Sequence, residues 1–106
     1  MDYARALVEH PMWTQWRKGM VDDAGCVCSV DGIKMGKARL PDINHPATKG
    51  WLLHMLREAT GTQDACATWL GGEWRLYGWI GASALGRFAT EGEALAAALL
   101  AVWGQA

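Results

Sequence analysis

The sequence predicts a single α+β domain over residues 1–106: an antiparallel sheet built from two hairpins, packed on one face by two longer helices, with a short N-terminal helix. Two stretches of small, β-branched and aromatic residues each contain a dipeptide that suits a two-residue hairpin turn. Two longer segments carry apolar residues at helical spacing between recognisable start and stop residues. A chain of this length buries enough surface to fold around one core.

The first element is predicted as a short helix over residues 2–9. Asp2 is a candidate N-cap, and Pro11 ends the helix because the residue before a proline avoids the helical conformation. Residues 12–20 show neither a helical nor a strand period, so the sequence predicts no element there.

The first hairpin is predicted around Asp31 and Gly32, a pair that accepts the positive φ angles of a type I′ turn. Side chains alternate along a strand, so this turn predicts one apolar face and one polar face that holds Ser29 and Lys34. The apolar face would comprise Cys26, Cys28, Val30, Ile33 and Met35.

A long helix is predicted from Pro46 to just before Gly61, because proline suits the first helical turn and glycine the left-handed residue past the end. The second hairpin follows, with Gly71 and Gly72 as its loop. Its register would pair Leu70 with Glu73 and Trp69 with Trp74. One face would hold Ala67, Trp69, Trp74 and Leu76, and the other Thr68, Glu73, Arg75, Tyr77 and Trp79.

The C-terminal part predicts a weak edge strand over residues 85–89 and a final helix that ends near Trp103. Thr90 and Glu93 have the spacing of a capping box, in which each residue supplies a hydrogen-bond partner to the other's backbone amide. The final helix is apolar on most sides, so we expect it to be buried on two of them.

Composition excludes several classes. Ten basic and eleven acidic residues nearly cancel, so no global field recruits nucleic acid or an anionic membrane. The longest apolar run, residues 94–103, is about half of a membrane span. With no signal-peptide pattern and an odd number of cysteines, three, we expect thiols in a soluble intracellular protein.

No motif indicates catalysis, a metal or a cofactor. Cys26 and Cys28 lack the spacing of a zinc site, and no glycine pattern of a nucleotide-binding loop occurs. A nucleophilic Cys66 with His54 and Asp64 is conceivable, but nothing local marks that thiol as activated. We therefore expect a protein that is not an enzyme, with structural cysteines and no bound cofactor.

Seven tryptophans are more than a domain this small can hide, so some should lie at the surface and contact a partner. Trp51, Trp69, Trp74 and Trp103 lie on apolar stripes and are expected in the core. The other three, Trp13, Trp16 and Trp79, have polar neighbours and are expected to contact a partner. The predicted partner-binding residues are Trp79, Tyr77, Arg75, Glu73, Trp13, Trp16, Arg17 and Lys18.

Two alternatives remain open for this surface. Lys34, Lys37 and Arg39, together with Arg17 and Lys18, could form a basic strip beside stacking tryptophans and bind nucleic acid. The aromatic face could instead join two copies of the chain in a homodimer. The leading expectation is that the partner is another protein.

Two stretches, residues 40–59 (LPDINHPATKGWLL running into LREA) and residues 86–95 (GRFATEGEAL), resemble small proteins of unknown function from tailed bacteriophages and prophages. The resemblance implies a phage or prophage accessory protein in a bacterial cytoplasm, and it transfers no catalytic residue. Such proteins commonly carry an acidic residue before the proline. His45 stands there in this chain, which leaves the helix cap to Asn44 or Asp42.

Overall fold

A computed structural model describes residues 2–30 and 39–104. Within these residues, three α-helices and three strands define an α+β fold, as predicted: α1 (Tyr3–Glu9), α2 (Pro46–Thr60), β1 (Cys66–Leu70), β2 (Glu73–Tyr77), a 3-10 helix (Ala82–Leu85), β3 (Arg87–Phe88) and α3 (Glu91–Trp103). The strands form an antiparallel sheet in the order β1, β2, β3. The two longer helices pack against this sheet.

The helix boundaries follow the predicted caps with one exception. Asp2 caps α1 by accepting from the Arg5 amide, and Gly61 ends α2 in the left-handed conformation. The expected transfer of the α2 cap to Asn44 or Asp42 is wrong. His45 is itself the N-cap, because its imidazole Nδ1 accepts a hydrogen bond from the Ala47 amide at 3.2 Å.

The predicted register of the second hairpin is confirmed. Leu70 pairs with Glu73 and Trp69 with Trp74, and both loop glycines have positive φ, at 63° for Gly71 and 83° for Gly72. Such angles match a type I′ turn, whose twist follows that of the flanking strands. The predicted edge strand forms over two residues, and Phe88 stands beside Trp74.

The core lies between the helices and one face of the sheet. Helix α3 contacts all three strands and packs along α2. Thr90 caps α3 by accepting from the Glu93 amide at 3.1 Å, and the Thr90 hydroxyl donates to the Glu93 carboxylate at 3.3 Å. Gly92 lies against the loop before α2, where any added Cβ would collide with the Ile43 carbonyl. This close approach holds the first turn of α3 against that loop.

The turn of the predicted first hairpin, Asp31 and Gly32, lies outside the described residues, as do Ile33, Lys34 and Met35. The described part, residues 26–30, makes a bridge between Val27 and Val21 but no strand. The expected apolar face does not form there: Cys28 is buried, whereas Cys26 and Val30 are exposed. Asp22 supplies the local order instead, because its carboxylate accepts from the Ala24 and Cys26 amides.

Burial divides the tryptophans differently from the sequence prediction. Trp16 is 1% exposed and Trp13 is also buried, so their predicted place at the surface is wrong. Trp69, expected in the core, is 55% exposed. Trp51, Trp74, Trp79 and Trp103 are partly buried and pack against the core. No helix in residues 2–30 or 39–104 is long and apolar enough to cross a membrane.

Candidate interaction surface

The face of the sheet turned away from the helices carries three of the predicted partner-binding residues. Strand alternation places Glu73, Arg75 and Tyr77 on that side of β2, and the register adds Leu70 from β1 and Arg87 from β3. We call these five residues the open face. Along the strands from the loop, Leu70 and Glu73 come first, the two arginines lie in the middle, and Tyr77 lies at the far end.

One carboxylate and two guanidinium groups form the centre of the open face. Glu73 Oε2 lies 3.2 Å from Arg75 Nε and 3.1 Å from Arg87 Nε. Arg75 and Arg87 are also direct cross-strand partners, so Glu73 bridges two like charges that would otherwise repel each other. The trio keeps one surplus positive charge. Next to it lies a shallow hollow of about 360 Å³, which Tyr77 and Ser83 also line.

The tip of the second hairpin extends the surface with apolar groups. Trp69 and Trp74 make an edge-to-face contact with ring centroids 5.6 Å apart, and Trp69 and Leu70 are more than half exposed. Trp69 is on the helix side of the sheet, yet it lies close to the loop and remains exposed. The sequence prediction missed this residue because it judged burial from the face alone. The position of Trp69 two residues before the turn was the available signal.

Trp79 lies beyond the end of β2 and lines a different hollow from Arg75 and Tyr77. It follows β2, packs against the core and lines a small apolar hollow with Ile80, Leu85 and Val102. Ile80 is fully exposed and was not predicted as a contact residue. Trp79 therefore contributes to packing, and the exposed apolar group next to it is Ile80.

The segment with Trp13, Trp16, Arg17 and Lys18 has its two tryptophans in the core, not at the predicted surface. The two indole rings contact each other edge to face at 5.9 Å inside the core, and neither indole nitrogen has a hydrogen-bond partner among the described residues. The Arg17 guanidinium lies 5.3 Å from the centre of the Trp51 ring. Trp51 in turn donates to the Lys18 carbonyl at 2.8 Å. These contacts tie the segment to α2.

The basic strip proposed for nucleic acid is only partly described, since Lys34 and Lys37 lie outside the described residues. Arg39 donates to the buried Asp22 carboxylate at 2.6 Å. Backbone hydrogen bonding, chiefly from Cys26, and this guanidinium lower the pKa of Asp22, and the same contact raises the pKa of Arg39. Because Trp13 and Trp16 are buried, they cannot stack on bases, and that part of the prediction is wrong.

Two cysteines and His54 contact neighbouring residues through their side chains. The Cys28 thiol donates to the Val30 carbonyl at 3.2 Å, and the Cys66 sulfur lies 3.8 Å from the Thr68 hydroxyl. His54 lies 3.4 Å from Glu58 on its own helix. In residues 2–30 and 39–104 no group of three or more histidine, cysteine or acidic side chains is arranged to hold a metal ion.

The class that this geometry defines is a small α+β domain with an open sheet face and an exposed aromatic hairpin tip. No protein-family model matches the sequence, and neither curated proteins nor solved structures give a significant match.

Proposed function

We propose that this chain is a non-enzymatic interaction module that binds another protein through the open face and the adjoining hairpin tip. The observation that supports this most directly is the exposure of Trp69 and Leu70 next to the Glu73, Arg75 and Arg87 cluster. Tryptophan, tyrosine and arginine are the residues that most often dominate the energy of protein interfaces. An aromatic group bordered by charged groups is also the usual arrangement of core and rim.

The charges of the open face indicate the chemistry of the partner surface. Glu73 contacts both arginines through one oxygen and leaves one net positive charge, so the remaining guanidinium N–H groups are available to an incoming carboxylate. Arginine binds carboxylates with two parallel hydrogen bonds, which orients as well as attracts. We propose a partner segment with an acidic side chain at its centre and apolar side chains on either side, one of which would contact Trp69 and Leu70.

The resemblance of residues 40–59 and 86–95 to phage and prophage proteins supports the biological setting of the proposal. The chain would be an accessory protein in the cytoplasm of a bacterial host. It would bind a host factor and modulate or inhibit it, a defence system being one class of target. No residue of the open face belongs to the first of these stretches, and only Arg87 belongs to the second.

The test is recovery of proteins from bacterial lysate on immobilised wild type and on Arg87→Glu. Arg87 is well exposed and stands on the two-residue edge strand, so reversing its charge should leave the fold intact. The matched control is Arg5→Glu, which makes the same charge change at an exposed helical site. We expect the same specific protein on wild type and Arg5→Glu columns and at least tenfold less on Arg87→Glu.

Trp79→Ala serves as a second comparison, because Trp79 packs on the core beside Ile80. This variant should lose thermal stability while it retains the captured protein. If Arg87→Glu captures the same protein in the same amount as wild type, the open face is not the binding surface. If no protein is enriched on wild type over a blank column, the proposal fails as a whole.

A further inference from the structure

The outer edge of β1 has no neighbouring strand among the described residues, because the sheet order is β1, β2, β3. Leu70 and Glu73 flank a two-residue turn and therefore exchange backbone hydrogen bonds, as do alternate pairs beyond them. The intervening residues of β1, Ala67 and Trp69, consequently direct their amide and carbonyl groups away from β2. Within residues 2–30 and 39–104 no backbone hydrogen bond reaches these groups from outside the sheet.

The two edges of the sheet differ in how they resist pairing. Strand β3 is two residues long and carries Arg87, and shortness and charge are both common protections of an edge. Strand β1 has five residues, CATWL, with no charge and no proline. Its last three residues are exposed. An uncharged edge of this length is the kind of template to which another strand adds.

We propose that β1 pairs antiparallel with β1 of a second copy of this chain, about a twofold axis that passes beside Thr68. The axis position follows from the hydrogen-bonding groups. Ala67 and Trp69 are the residues with outward backbone groups, and the register that places Ala67 of each copy opposite Trp69 of the other is the one that pairs all of these groups. The arrangement forms four hydrogen bonds between the copies and joins the two sheets into one of six strands.

The side chains favour a second copy over an unrelated strand, because this register makes the sequence complementary to itself. Trp69 would lie across from Ala67, a large ring beside a small residue on the helix side. On the open side Thr68 would face its own copy, and Leu70 would face Cys66. Cross-strand pairs of β-branched residues stabilise sheets, and no like charges meet within β1. The net charge of −1 opposes association only weakly.

The test is a charge exchange at the twofold axis. In Thr68→Lys, two ammonium groups would stand directly opposite each other, whereas mixing Thr68→Lys with Thr68→Glu would place opposite charges there. Thr68 is exposed, so both variants should fold, as circular dichroism can verify. Lysine is the sharper single variant, since Arg75 faces position 68 within each copy and would partly neutralise a glutamate. Ala59→Lys, on an exposed part of α2, is the matched control.

Sedimentation equilibrium over a wide concentration range supplies the readout. We expect wild type and Ala59→Lys to shift from 11.6 kDa towards twice that mass as concentration rises. Thr68→Lys should dissociate about fivefold more readily, the effect of like charges directly opposite on a sheet. An equal mixture with Thr68→Glu should recover the wild-type mass. The proposal would be overturned if wild type stayed monomeric at all concentrations, or if Thr68→Lys dimerised as tightly as wild type. It would also be overturned if the mixture had no higher mass than Thr68→Lys alone.

Discussion

Thr48 on α2 forms hydrogen bonds with Val21, in the irregular segment of residues 12–30. Replacing Thr48 therefore tests quantitatively how much these hydrogen bonds stabilise the fold. The side chain is completely buried. Its hydroxyl accepts from the Val21 amide at 3.0 Å and donates to the Val21 carbonyl at 3.2 Å. That carbonyl also accepts from the Asp42 amide at 2.8 Å, so among the described residues it is the Val21 amide that depends on Thr48 alone.

Thr48→Val keeps the shape of the side chain and removes both hydrogen bonds. Stranding the Val21 amide costs about 1–3 kcal/mol, and losing the second bond about 1 kcal/mol more. The added methyl group recovers about 1 kcal/mol through burial. The expected net loss is about 2 kcal/mol in the free energy of unfolding, which lowers the urea midpoint by roughly 1–2 M.

Thr60→Val is the matched control because it makes the same substitution in the same helix. The Thr60 hydroxyl donates to the Leu56 carbonyl of its own helix at 2.9 Å. Its loss strands no buried amide, and the expected cost is below about 0.5 kcal/mol. Unfolding of both variants in urea can be followed by tryptophan fluorescence. Equal midpoints for Thr48→Val and Thr60→Val would refute the reasoning that the Val21 amide relies on this hydroxyl.

Three further predictions concern burial and charge. Gly92→Ala should destabilise the fold by several kcal/mol, because the new methyl group would collide with the Ile43 carbonyl. Gly50→Ala, with open space around it, should stabilise α2 by about 1 kcal/mol in thermal melts. If both substitutions changed the melting temperature in the same direction, the close approach at Gly92 would be contradicted. Trp16→Ala should cost about 3–5 kcal/mol in urea and Trp69→Ala about 1 kcal/mol, an order that the reverse result would disprove. The lowered pKa of Asp22 adds stability above pH 3.8, and this stability is lost as the pH falls through the pKa of the folded state. The free energy of unfolding of Asp22→Asn should therefore fall less steeply than that of wild type on acid titration. Parallel curves for the two proteins would refute this.

The secondary structure of the second half of the chain was predictable because its signals are local. The glycine pair at positions 71 and 72 fixes the turn, and the turn fixes the register of every pair in the hairpin. Thr90 and Gly61 mark helix ends through hydrogen bonds and backbone angles that involve only neighbouring residues. The N-cap of α2 was predicted wrongly because several residues near position 45 could supply it. An imidazole nitrogen can accept the amide hydrogen bond just as a carboxylate oxygen can, and His45 does so.

The first half was harder to predict because its order depends on contacts that are distant in sequence. Residues 12–30 contain no helix or strand, yet Trp13, Trp16 and Met20 are buried. Their burial is set by Thr48 and Trp51 on α2, which bond to the backbones of Val21 and Lys18. Polar neighbours in the sequence suggested a surface segment, but in an irregular segment the direction of a side chain has no fixed period from which to infer it.

The tryptophan exposure that the interaction hypothesis requires is present, but at a different residue from those predicted. The alternation of side chains along β1 correctly placed Trp69 on the helix side of the sheet, but alternation gives only the direction of a side chain and not its burial. Burial also requires that a helix reach the end of the strand, and β1 passes from partly buried at Cys66 to exposed at Leu70. A hairpin that projects past its covering helices exposes both of its faces at the tip, so the ring of Trp69 is accessible together with the outer edge of the same strand. A partner on the open face and a second copy at the edge would therefore meet at the same corner of the sheet, and binding of one should alter the affinity for the other.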